Sequence, residues 1–269
     1  MPTRLRLAMF VAVLVVAVLV LAGCDGGEAP TTPTTPPASV GGGRVGTLAG
    51  GASFKAVPMP VEARDWEDIG RDSEGNLWVA DIGDNECDRT DTALLKVREP
   101  DPAAAGPAKL LATYRYRFPD PAPGCAGRNA EAMFLADDVP YLIDKAEPST
   151  LYRFPRLDPK ATVTLEKVGV LAGQVANLSG ADLSADGRRL AVDTHTTLYV
   201  YQAADPSLAG AELVADLISR PPAWTVQLAG PGAGAANVEG VAFGYDSLDL
   251  NLLAENRDVY FVPASAYER

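Results

Sequence analysis

The chain has 269 residues, 47% of them hydrophobic and 7% aromatic, enough apolar material for a domain-sized core. It carries 35 acidic residues against 23 basic ones, a net charge of −12, with three Cys and a single His. An acid excess of that size opposes nucleic acid, which recruits Lys and Arg, and one His with three Cys leaves no ordinary donor set for zinc.

The chain opens with Arg4 and Arg6 ahead of an uncharged apolar run from Leu7 to Ala22. That order predicts a secretory signal peptide over residues 1–23, and the run is shorter than the roughly 20 residues of a membrane span. Leu21-Ala22-Gly23-Cys24 resembles the bacterial lipobox. The resemblance implies cleavage before Cys24, lipid on its sulfur, and an extracytoplasmic protein anchored to the bacterial cell membrane. Loss of the leader removes two Arg and no acid, so the mature chain is more acidic still. Residues 24–50 then read as a tether. Gly26-Gly27, the Thr/Pro run from Pro30 to Pro37 and Gly41-Gly42-Gly43 supply flexible and extended chain but nothing to pack.

The folded domain is expected over residues 52–269, and Phe54 to Val61 reads as its first strand. A two-strand unit follows. Asp65-Trp66-Glu67-Asp68-Ile69 leads through the turn Asp72-Ser73-Glu74-Gly75-Asn76 into Leu77-Trp78-Val79-Ala80-Asp81 and then Ile82-Gly83-Asp84-Asn85. Its first half recurs at Asn129 to Phe134, Ser179 to Leu183 and Asn237 to Ala242. Its second half recurs at Pro140 to Asp144, Arg189 to Asp193 and Asn251 to Glu255. Third strands are expected at Ala93–Val97, Leu151–Phe154, Leu198–Tyr201 and Val259–Val262, and fourth strands at Leu110–Phe118, Val163–Val170 and Trp224–Leu228. The last unit lacks a fourth strand, so Phe54 to Val61 is expected to pair there and close a ring. The repeat length, about 50–64 residues, is slightly longer than that of propeller blades. The fold class is therefore all-β: a β-propeller of about four four-stranded blades, a fifth requiring a unit that the repeats do not display. Asp205 to Ile218 is the most helix-like stretch, and Pro206, Gly210 and Pro221-Pro222 confine it to a loop insertion.

Cys87 and Cys125 remain once Cys24 is assigned to lipid. Outside the cytoplasm an even pair favours a disulfide, here bridging the loop after Asp84-Asn85 to the loop before Asn129. A monomer is expected.

The innermost strand of each blade lines a propeller's channel. Glu67, Glu131 and Glu239 occupy one position of three repeats, with Ala181 in the third copy, so they are expected to converge. Asp65, Asn129, Ser179 and Asn237 precede them by two residues. Asp81, Asp144, Asp193 and Glu255 end the second strands, and Lys145, His195 and Asn256 follow closely. Converging carboxylates need a cation, a proton or hydrogen-bond donors. Hard oxygen ligands suit calcium, with Glu67, Glu131, Glu239 and Asp81 as its ligands, or the carboxylates brace neighbouring blades instead. His195 is either a proton-transfer base or a hydrogen-bonded structural residue.

These motifs resemble a family of bacterial secreted and lipoprotein β-propellers whose units read Asp-Trp-Glu-Asp-Ile…Asp-Ile-Gly-Asp-Asn, Asn-Ala-Glu-Ala, Ala-Asp-Leu-Ser-x-Asp-Gly-Arg and Glu-Gly. They stand here at Asp65–Ile69 with Asp81–Asn85, Asn129–Ala132, Ala181–Arg188 and Glu239-Gly240. More distantly the chain is similar to gluconolactonase-like and phytase-like propellers, which implies a channel calcium ion. The expectation is a lipid-anchored binding or interaction module for a small molecule or protein, with membrane contact through Cys24 and none with nucleic acid. The alternative is a metal-dependent hydrolase of lactone or phosphate esters, with Asp81 or His195 as base.

Overall fold

The computed structural model describes residues 44–45, 58–59, 61, 63–100, 107–228, 236–244, 247–255 and 259–268. The signal peptide, Cys24, the Thr/Pro run and Asn256 lie outside them. Four small sheets form a four-bladed β-propeller. The first described strand, β1 (Arg44–Val45), belongs to the last blade. Blade 1 runs from the channel outwards as β2 (Trp66–Arg71), β3 (Asn76–Asp81), β4 (Ala93–Arg98) and β5 (Lys109–Arg117). Blade 2 has β6 (Ala130–Ala136), β7 (Val139–Asp144) and β8 (Thr150–Arg153) inside β10 (Glu166–Val170). Blade 3 consists of β11 (Gly180–Leu183), β12 (Arg189–Thr194), β13 (Thr197–Gln202) and β14 (Trp224–Gln227). Blade 4 has β15 (Val238–Phe243), β16 (Leu250–Ala254) and β17 (Val259–Val262), with β1 outside them.

Each blade is an antiparallel meander because its turns are short and carry suitable residues. Asp137 and Asp138 join β6 to β7 with φ of 50° and 60°, the paired left-handed geometry of a type I′ hairpin. The Asp72–Asn76 turn is pinned by the Asp72 carboxylate, which accepts the amides of Glu74 and Asn76 and the Trp78 indole N–H at 2.7–3.1 Å.

A blade buries its faces only against neighbours, and the apolar clusters follow that rule. Trp78, Leu94, Met133, Leu142 and Tyr152 fill the space between blades 1 and 2. Phe134, Tyr141, Leu190, Val192 and Tyr201 do so between blades 2 and 3, and Leu198, Val200, Val241, Leu252 and Tyr260 between blades 3 and 4. The helix-like insertion becomes α1 (Gly210–Ile218), and it is more than a loop. Its Leu213, Val214, Leu217 and Ile218 lie on one face and are buried; the last three join the cluster between blades 2 and 3.

Two expected strands change place. The ring is closed by an N-terminal strand, but it is β1, pairing Arg44 with Phe261 and Val45 with Tyr260, inside the stretch read as tether. Of the expected strand Phe54–Val61, Pro58, Met59 and Val61 are described and none is in a strand. Met59 and Val61 instead pack on the apolar face of Val79, Leu95 and Val97, and the Pro58 carbonyl accepts the Ala108 amide at 2.8 Å. The expected strand Val163–Val170 divides. Glu166–Val170 is the outer strand of blade 2, whereas β9 (Val163–Thr164) pairs in parallel with Tyr116 and Arg117 at the outer edge of blade 1. That crossing covers a sheet edge and laces two blades together. A disulfide between Cys87 and Cys125 joins the same two blades, as the cysteine count predicts, with Cα atoms 4.9 Å apart.

Candidate functional site

The three repeated glutamates are β-bulge residues. Trp66 pairs with Asp81 and Asp68 with Ala80, leaving Glu67 unpaired between them. Glu131 is left over between the pairs Ala130–Asp144 and Ala132–Ile143, and Glu239 between Val238–Ala254 and Gly240–Leu253. A bulge takes its residue out of the strand's alternation and re-aims the side chain. Blade 3 has no bulge, since Gly180 pairs with Asp193 and Ala181 with Val192 in unbroken register. Ala181 is therefore the counterpart of Asp68, Ala132 and Gly240, and no residue of blade 3 matches the glutamates. The same registers make Ala254, and not Glu255, the counterpart of Asp81, Asp144 and Asp193.

Glu131 stands at the centre of the group. Its Oε2 is 2.5 Å from Lys145 Nζ and its Oε1 accepts the Asn129 amide at 3.2 Å. Asn129 in turn bonds Asn85 at 3.0 Å and accepts the Asp84 amide at 2.7 Å, tying the mouth of blade 2 to the loop of blade 1. Glu67 shares a hydrogen bond with Asp65 across Gly83, where a Cβ would overlap Glu67 Oε1 and Asp65 Oδ2. Burial first, then the charges of Glu131 and Asp65, push Glu67 up to about 8, against the pull of Lys145. Glu239 lies 3.3 Å from His195 Nε2. Burial raises its carboxyl, His195 and Lys145 oppose this, and Glu131 and Glu255 add to it. The three glutamates thus share one electrostatic neighbourhood, with the Lys145 ammonium and the His195 imidazole beside them. Beside it opens a crevice of about 340 Å³, lined by Lys145, Asn177, Thr194, His195, Thr196 and Tyr199.

Asp81 is engaged elsewhere. It pairs with Arg89 at 2.9 Å, in a site where the Arg89 side chain is only 7% exposed, and accepts the Asp65 amide at 3.1 Å. Asp144 repeats the arrangement with Arg128 at 3.0 Å and the Thr150 amide at 2.7 Å. Substituting Asp81 would disturb packing as well as any chemistry. Asp193, the third of the set, has no arginine. It is completely buried, and neither carboxyl oxygen has a hydrogen-bond partner among the described residues; the same is true of the buried Ser179 hydroxyl.

Two further carboxyls, which the repeat pattern did not single out as site residues, hold the centre of the ring together. The channel-side edge of an innermost strand presents unpaired amides. Asp68 Oδ2 of blade 1 accepts the Met133 amide of blade 2 at 2.7 Å and the Ala181 amide of blade 3 at 3.2 Å, while Oδ1 takes the Ile69 amide at 2.8 Å. Asp182 of blade 3 accepts the Phe243 amide of blade 4 at 2.8 Å. Burial pushes Asp68 well above the carboxylate range and Asp182 to about 7, in both cases against these donors.

A pH profile follows. Raised carboxyls add stability that is fully present below their ordinary values, 3.8 for Asp and 4.5 for Glu, and lost as pH rises through about 7 at Asp182 and about 8 at Glu67. Each contributes a slope of at most about 1.4 kcal/mol per pH unit. At the acid end burial is outweighed by Lys96, Trp78 and Asn76, which hold Asp72 at about 2, so its contribution disappears as pH falls through that value. Melting curves of the chelated protein should peak near about pH 4–5 and decline towards pH 8; a melting temperature that climbs from pH 5 to 8 would contradict the buried-carboxyl account.

As to metal, the oxygen donors suit a hard cation by type. Among the described residues, however, no group of three His, Cys, Asp or Glu side chains is placed to hold one, and Lys145 already holds Glu131. No described helix is long and apolar enough to cross a membrane.

No known family model and no curated protein matches the chain. Among solved structures it is similar to hydrazine synthase of Kuenenia stuttgartiensis, at 12% identity and TM-score 0.39, covering 81% of this chain and 51% of that one. It is also similar to a chain of a mitotic checkpoint complex, at 13% identity and TM-score 0.38, covering 93% and 73%. The extracellular domain of a one-component system of B. thetaiotaomicron gives 11% identity and TM-score 0.34, covering 73% and 21%. The chain thus spans about half of the hydrazine synthase chain and a fifth of the B. thetaiotaomicron one.

Proposed function

We propose that this chain is an extracytoplasmic binding module, anchored by lipid on Cys24, whose ligand end is the channel mouth marked by Glu67, Glu131 and Glu239, with calcium the hard cation that this acidic mouth would recruit. The observation that carries the reading is the triple bulge: three blades each insert one unpaired residue at the same register, and in each it is a glutamate. Asp65 and Glu255 add to the acid side, and the Lys145 ammonium opposes them. That imbalance favours a hard cation or a cationic group of a partner. The adjoining crevice offers hydroxyl, amide and imidazole groups to the rest of a ligand.

Hydrolysis of lactone or phosphate esters keeps one specific support. His195 with Glu239 3.3 Å away forms a base with an orienting carboxylate, and the commitment of Asp81 to Arg89 leaves His195 as the base in that reading.

The test uses the full chain in detergent, because any shortened form must keep Arg44 and Val45. Melting is recorded in EDTA and after addition of calcium, magnesium or zinc, with bound metal measured on the purified protein. Calcium at 100-fold excess over its dissociation constant should stabilise by about 2.7 kcal/mol, with about one equivalent bound. No calcium-specific shift and no bound calcium would remove the ion from the reading and the metal-dependent hydrolase with it.

A further inference from the structure

A second cavity, of about 220 Å³, opens where the outer part of blade 1 meets the loop that leads into blade 2. Glu67, Glu131 and Glu239 take no part in its lining. Arg89 and Thr92 line it from the loop between β3 and β4, Tyr116 and Arg117 from the end of β5, and Arg128 from the loop before β6. The Cys87–Cys125 bond and the pairing of β5 with β9 fasten these walls to one another, so a ligand loses little affinity to ordering them. The volume lies below the roughly 300–1,000 Å³ of most ligand pockets, which limits the occupant to a small molecule.

The charges on the walls are unequally spent. Arg89 is paired with Asp81 at 2.9 Å and Arg128 with Asp144 at 3.0 Å. Asp84, the carboxylate of the lining, turns its Oδ1 to the amides of Asp88 and Arg89 at 2.9 and 3.0 Å. Arg117 differs. It is exposed, its Nε donates to the Thr164 hydroxyl at 2.8 Å, and no carboxylate among the described residues lies within ion-pair distance of it. Its neighbour Tyr116 is only 4% exposed, and the Tyr116 hydroxyl makes no hydrogen bond among the described residues; the Thr92 hydroxyl acts on it without hydrogen-bond geometry. A buried hydroxyl without a partner is costly. Burial raises the phenol above its ordinary value, so at neutral pH it is an intact O–H donor. An unspent positive charge and an unspent donor on one small cavity both call for a negatively charged acceptor.

We infer that this cavity binds the oxyanion group, carboxylate or phosphate, of a small hydroxylated molecule, with Arg117 supplying the charge and Tyr116 a buried hydrogen bond. The hydroxyls of Thr90 and Thr162, also in the lining, serve the hydroxyls of the ligand. A neutral polyol would satisfy Tyr116 and leave the Arg117 charge unused, and a cation would face three guanidinium groups. The site is independent of the glutamate mouth and of any ion there.

Glycerol phosphate, glycerate and glycerol share one body and differ in the charged group, and their binding to the full chain in detergent is measured by titration calorimetry. At least one of the two anions should bind about 10-fold or more tighter than glycerol, the scale of a hydrogen bond to a charged group; the preferred anion tells phosphate from carboxylate. Arg117→Gln should erase that advantage. Tyr116→Phe keeps the ring against Phe118 and Phe154 and should weaken the anion by about 10-fold. Arg98→Gln removes the same charge at the far end of β4, outside the cavity, and should leave the affinity unchanged. Arg117 is exposed, so its variant decides the matter if Tyr116→Phe fails to fold. No binding, equal binding of all three compounds, or an anion affinity that Arg117→Gln leaves intact would overturn the inference.

Discussion

Asp68→Ala should lower stability by about 4 kcal/mol, since two buried amides from two other blades lose their acceptor at about 1–3 kcal/mol each. For a domain of this size that corresponds to a fall in melting temperature on the order of 10 °C. The reason is topological. Met133 and Ala181 sit on innermost strands whose outer edges are paired and whose inner edges face the channel, where no further strand can reach. One carboxyl from blade 1 serves both. Asp68→Asn keeps an acceptor oxygen and should cost less than half as much. Equal losses for Ala and Asn, by thermal or urea melting, would show that Asp68 matters for its shape or charge and not as an acceptor.

Removing the disulfide as the pair Cys87→Ala/Cys125→Ala is expected to cost a similar amount. The bridge spans 38 residues of sequence, and chain-entropy arithmetic for such a loop gives about 4 kcal/mol. The loop it closes contains the outer half of blade 1, and the bond holds Arg89 and Arg128, through their own loops, over the Asp81 and Asp144 carboxylates. Reduction should therefore shift the urea midpoint and, by loosening Asn85 and Asn129, expose the mouth of the channel. An unchanged midpoint after full reduction would mean that β9 and the apolar cluster between blades 1 and 2 already hold the two blades together without it.

Among the described residues Lys145 is the only lysine that touches the glutamate group, and it follows Asp144 directly at the end of β7. Its ammonium pairs with Glu131 and opposes the rise at Glu67 and Glu239, which lowers the cost of gathering the three.

Much of this architecture was legible in the order of residues alone. Apolar runs ending in a carboxylate, turns such as Asp72–Asn76, and recurrence at blade length are local patterns, so the inner three strands of all four blades follow from them, and the pairing of Cys87 with Cys125 follows from the cysteine count. The convergence of Glu67, Glu131 and Glu239 was legible too, because repeats place equivalent residues at equivalent heights. The tertiary structure alone decided the rest. A bulge adds one residue to one strand and leaves the hydrophobic pattern nearly unchanged, so only cross-strand pairing reveals that blade 3 lacks it and that Ala181 is aligned with Asp68. The closing strand Arg44–Val45 is two residues long, too short for periodicity to mark, and is selected by the free edge of β17. Whether an aspartate meets an arginine, as at Asp81 and Asp144, or is buried without one, as at Asp193, depends on how the adjoining loop folds: Arg89 stands eight residues after Asp81 and Arg128 sixteen before Asp144, spacings that carry no periodic signal.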